Sequence, residues 1–65
     1  MKAKILEDLK DLELTGEIIE TPTHTDIVFP DHKQGNMFLL LSSFAENDQY
    51  KFARPTTKKL RIFKL

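Results

Sequence analysis

Asn36-Met37-Phe38-Leu39-Leu40-Leu41-Ser42-Ser43-Phe44 is the longest apolar run in the chain, and its reading decides the fold. A short continuous run of this kind fits a strand covered on both faces or a piece of buried helix, and periodicity alone does not separate them. The flanks favour a strand. Gly35-Asn36 opens it, Ser42-Ser43 weakens it, and Glu46-Asn47-Asp48 closes it in turn chemistry. A strand over 36–44 puts Met37, Leu39 and Leu41 on one face and Phe38 and Leu40 on the other. One set would line the core. The other would meet a helix, a ligand or a partner.

Working outward, residues 2–12 carry Ile5, Leu6, Leu9 and Leu12 at the spacing of one helix face. A helix this short is marginal alone in water, so it must dock on the sheet. From Glu13 the period changes to near-alternation, predicting strands over 13–21 and 25–29 around the turn Thr21-Pro22-Thr23-His24. Gly16 marks a bulge or a close approach of another backbone. Pro30 to Gly35 reads as a polar loop. Further strands are predicted at 49–54, where Tyr50 and Phe52 share a face, and at 58–65. Ser43-Phe44-Ala45-Glu46 also fits a capping box for a helix to Arg54. Asn47 and Asp48 are poor in a helix interior, and the aromatic residues do not line up helically, so the strand is preferred. The predicted fold is α+β, one domain over 1–65: an N-terminal helix packed on a meander of about five antiparallel strands, as a twisted sheet or half-barrel.

Composition bounds the function. With 40% hydrophobic and 31% charged residues and no cysteine, the chain has a globular make-up, no disulfides and no thiolate metal site. No apolar run reaches the roughly 20 residues that span a bilayer, and Met1-Lys2-Ala3-Lys4 leads into a charged amphipathic segment. No membrane association and a cytoplasmic location are expected. A domain this small has little apolar surface left over for a dry catalytic pocket; a binding face or dimer interface is the economical use of any surplus.

The chemistry agrees. His24 and His32, with Asp26 and Asp31 near them in sequence, match no standard metal spacing. Hydroxyls beside a histidine in Thr23-His24-Thr25-Asp26 lack any sign of a positioned base or oxyanion hole. The lone Gly16 and Gly35 build no phosphate-cradling loop. No catalytic residues, metal or cofactor are expected.

Charge is uneven although its sum is zero. Residues 1–31 hold eight acids and three lysines, while residues 32–65 hold seven basic residues and two acids, giving −5 against +5. The halves either neutralise each other or polarise the surface toward a charged partner. Two candidate faces follow. One is acidic, with Glu13, Glu17 and Glu20 on the first strand and Asp26 on the next. The other is basic, with Lys51, Arg54, Lys58, Lys59, Arg61 and Lys64 interleaved with Tyr50, Phe52 and Phe63, the pattern of a small nucleic-acid-binding sheet. The same lysines also protect an edge hairpin from aggregation, and a pI near 6.7 lacks a basic excess.

Gly16-Glu17-Ile18-Ile19, Thr25-Asp26-Ile27-Val28-Phe29, Asn36-Met37-Phe38-Leu39-Leu40 and Leu60-Arg61-Ile62-Phe63-Lys64-Leu65 resemble, in order, strands of the uracil-DNA glycosylase inhibitors, small phage proteins. The resemblance implies that Glu17 imitates a DNA phosphate and that Phe29, Phe38 and Leu40 line a pocket for a leucine of the enzyme. The family's helix between its first two strands is missing here, and its strong overall acidity is absent. The functional expectation is a non-catalytic protein-binding module, in narrower form a phage or mobile-element inhibitor of a host DNA-processing enzyme, acting through Glu17, Glu20, Phe29, Phe38 and Leu40. The alternative is nucleic-acid binding through Lys51, Arg54, Lys58, Lys59 and Arg61. A third reading is a subunit or homodimer with a purely structural role.

Overall fold

Ile5 and Leu9 lie one turn apart on α1 (Lys2–Asp11), and both are buried. The expected helix is present. Leu12 caps its C-terminus and is half-buried, while Leu6, expected on the same face, is about half exposed. The stop is a Schellman turn. The Leu14 amide donates to the Leu9 carbonyl at 2.8 Å and the Glu13 amide to the Lys10 carbonyl at 3.2 Å. Glu13 takes the left-handed conformation (φ 57°) that this turn demands and that glycine usually fills. Leu14 then folds into the core beside Leu9.

The computed structural model describes residues 1–65, and four strands follow α1: β1 (Glu17–Glu20), β2 (Thr25–Val28), β3 (Tyr50–Ala53) and β4 (Lys59–Lys64). A second helix, α2 (His32–Leu41), stands between β2 and β3. The fold is therefore α+β, with two helices and one four-stranded antiparallel sheet in the order β1-β2-β4-β3. Two expectations are corrected. The sheet is not a meander, because β4 crosses to the middle and β3 is left at the edge. The fifth strand, expected at 36–44, is helix α2.

The local physics of that second correction is plain. Asp31 caps α2, its side chain accepting from the Gln34 amide at 2.9 Å, directly after Pro30. The buried positions Gly35, Phe38 and Ser42, with the half-buried Leu39, fall at i, i+3, i+7 and i+4. A helical stripe is present, but glycine and serine hold its ends, so it carries little hydrophobic signal. Leu40 and Leu41, which made the run look continuous, point outward.

Alternation along β2 and β4 sends Ile27, Leu60 and Ile62 to one face, where they are fully buried. They share one cluster with Ile5 and Leu9 of α1, Leu14, Phe29, Phe38 of α2 and Phe44. Both helices thus cover the same face of the sheet. Gly16 sits against this core without a bulge: a Cβ there would lie 2.5 Å from Ile27 Cγ2, 3.1 Å from Phe29 Cε1 and 3.3 Å from Leu9 Cδ2. Side chains, not another backbone, make the close approach. The opposite face of the sheet carries no helix.

Candidate functional site

Chemistry-bearing side chains gather in two places. The first is the helix-free face of the sheet. Asp26 and Arg61 stand directly across β2 and β4. Arg61 donates from Nε to Oδ1 at 2.8 Å and from Nη2 to Oδ2 at 3.1 Å, a bidentate fork. His24 approaches the same carboxylate, its Nε2 3.7 Å from Oδ2, and its ring lies 5.5 Å from that of Phe63. Asp26 is only 5% exposed. The hydrogen bonds from Arg61 hold its carboxyl below the usual range, against burial, which raises it; the charges of Arg61, His24 and Lys59 add to the lowering. The Arg61 guanidinium is raised in turn, chiefly by the same hydrogen bonds. A carboxylate so fully neutralised is a structural lock.

The second place is a depression between the first turns of α2 and the β3–β4 connection, with a volume of about 460 Å³. His32 and Asn36 line one side and Arg54, Pro55, Thr56 and Thr57 the other; no carboxylate reaches it. Arg54 donates to the Asn36 side-chain oxygen and to the Thr57 carbonyl oxygen, the latter at 2.6 Å. Both acceptors are neutral, and no carboxylate lies within ion-pair distance of Arg54. Gly35 makes room: a Cβ on it would stand 3.1 Å from Arg54 Nη2.

The residues expected to form an acidic and apolar protein-binding site are dispersed. Phe29 and Phe38 are core residues with rings 5.8 Å apart, 2% and 0% exposed. Leu40 is 73% exposed on the outside of α2, so the three line no common pocket. Glu17 and Glu20 are both exposed on the edge strand β1, but their spacing puts them on opposite faces. Glu20 also lies 3.9 Å from Lys2. Asp26, expected on that acidic face, is spent on Arg61.

The basic set divides as well. Lys51 and Lys58 are exposed, Lys59 is half-buried, Arg54 lines the depression and Arg61 is locked to Asp26. Tyr50 and Phe52, expected as stacking rings, pack against the core, and the Tyr50 ring meets Phe44 edge-on at 4.8 Å. Lys4 lies over both of those rings, at 4.7 and 5.4 Å. His24 and His32 belong to different clusters, and no three His, Cys, Asp or Glu side chains could hold a metal together. Sequence reading missed the Arg54 depression because it depends on α2. The Asp31–Gln34 capping pattern after Pro30 was the available signal.

The chain is thus a small α+β domain whose two helices leave one sheet face open, with an ion-pair lock on that face and one polar depression at its side. Comparison with protein families, characterised proteins and solved structures gives no match. No helix is long and apolar enough to cross a membrane.

Proposed function

We propose that the chain is a non-catalytic module that binds another protein. The observation that carries this is the pair Leu40 and Leu41, 73% and 61% exposed side by side at the end of α2 in a domain with little apolar surface to spare. Scattered exposed leucines are ordinary, but two adjacent ones at the end of a helix make an apolar patch that a partner protein can cover. The partner surface that covers them is apolar.

The narrower reading, from the resemblance to the uracil-DNA glycosylase inhibitors, is a partner that processes DNA and meets Glu17 as a phosphate substitute. Leu40→Gln combined with Leu41→Gln tests the broader reading. A partner recovered with the parent protein should be lost with the variant and kept when Lys51 and Lys58 are neutralised; recovery undiminished by the leucine changes rejects it. Adding the parent protein in molar excess to a uracil-excision assay tests the narrower reading, which fails if the rate does not change.

A further inference from the structure

The depression beside α2 has no part in protein recognition through Leu40 and Leu41, and it has the make-up of a ligand site of a different kind. We propose that it is an anion site that takes the phosphate group of a phosphate ester, with Arg54 as the principal donor.

Four observations carry this. The lining of the depression holds an arginine, a histidine, an asparagine and two threonines without a single carboxylate. Arg54 is held by neutral oxygens, so its charge is positioned without being neutralised. That is the reverse of Arg61, whose charge is spent on Asp26. A guanidinium carries five N–H donors, and the contacts to Asn36 and Thr57 use two of them. The remainder can meet an oxyanion in the paired geometry that arginine offers to phosphate.

The third observation is Gly35. Its missing side chain lets the guanidinium lie flush against α2 in a fixed place, where any Cβ would press on Nη2. The fourth is Thr56, whose Oγ1 accepts from the amides of Lys58 and Lys59 at 3.3 and 3.1 Å. Its hydroxyl proton therefore remains free to donate to a ligand. Asp31, the nearest acid in sequence, is occupied in capping Gln34 and does not line the site.

Size narrows the ligand. A volume of about 460 Å³ falls within the range of small-molecule sites and exceeds what a bare phosphate fills. None of the residues that line it is hydrophobic. A nucleotide phosphate fits both statements, whether on a free mononucleotide or in a single strand. In a strand the exposed Lys58 would add a backbone contact.

The test is amide NMR titration of the intact chain with inorganic phosphate, a nucleoside monophosphate and a short single-stranded oligonucleotide, each against chloride at equal ionic strength. The expected result is saturable shifts confined to residues 32–36 and 54–58, with the monophosphate binding more tightly than inorganic phosphate. Arg54→Gln should weaken the monophosphate about tenfold or more, as removal of charge-assisted hydrogen bonds does. The same spectra report whether that variant is folded. If it is not, Arg54→Lys keeps the charge but loses the fork and should still bind several-fold more weakly. Oligonucleotide binding that is tighter and falls more steeply with salt assigns the phosphate to a strand; equal or weaker binding assigns it to a free ester. Shifts spread over every lysine-bearing surface, no saturation, or unchanged affinity in the folded Arg54 variant overturn the proposal.

Discussion

Glu13 and Gly16 hold opposite backbone and packing constraints three residues apart. Glu13 occupies a left-handed position that costs an L-residue roughly 1–2 kcal/mol. Glu13→Gly should therefore raise stability by about 0.5–1 kcal/mol, after the extra unfolded-state freedom of glycine is subtracted. A thermal melt at or below the parent value would show that the turn is already relaxed. Gly16→Ala should do the reverse, because its Cβ would run into Ile27 and Phe29; overpacking of this kind costs about 1–3 kcal/mol. Asp26 gives the pH dependence. Its folded-state carboxyl is held below the ordinary value, so its contribution is fully present above about pH 4 and is lost as pH falls through the lowered folded-state value. Melts of the parent and of Asp26→Asn should thus differ at neutral pH and converge in acid. A constant difference down to the lowest pH at which both fold would remove Asp26 from the acid response.

Among the elements, α2 is where reading and structure part. As a strand, Leu40 would be as costly to truncate as Leu39. As a helix, Leu40 lies outside and Phe38 inside. Phe38→Ala should cost about 3–5 kcal/mol, while Leu40→Ala should stay within about 0.5 kcal/mol. Denaturant titrations showing equal losses at the two positions would restore the strand. The capping of α2 by Asp31 adds a smaller check, with Asp31→Ala costing about 1 kcal/mol. Element α1 and the hairpin strands β1 and β2 were legible because alternation and the i, i+4, i+7 spacing agree with their turns. For β3 the aromatic spacing decided correctly against the competing helix from Ser43.

For the whole molecule, strand order sets where stability resides. β2 and β4 are the two central strands and carry Ile27, Leu60 and Ile62, all fully buried; β1 and β3 each have a free edge. Amide exchange should be slowest in β2 and β4 and faster in β1 and β3. Uniform protection across all four strands would mean that the domain opens only as a unit. From the residues alone came the α+β class, the first helix and four of the strands, because each rests on periodicity or composition within a dozen residues. Only the tertiary structure decided the rest. A run such as Phe38-Leu39-Leu40-Leu41 has the same local pattern in a two-sided strand and in a helix with two leucines left outside, and the competing terms are long-range: which face of the sheet is already covered and what Phe29 packs against. Once α2 forms, Gly35 is brought under Arg54, Phe38 against Phe44, and Asp26 is left facing Arg61 on the open side. Chain pattern cannot anticipate those meetings, because each joins residues 6 to 35 positions apart whose only common cause is the packed core.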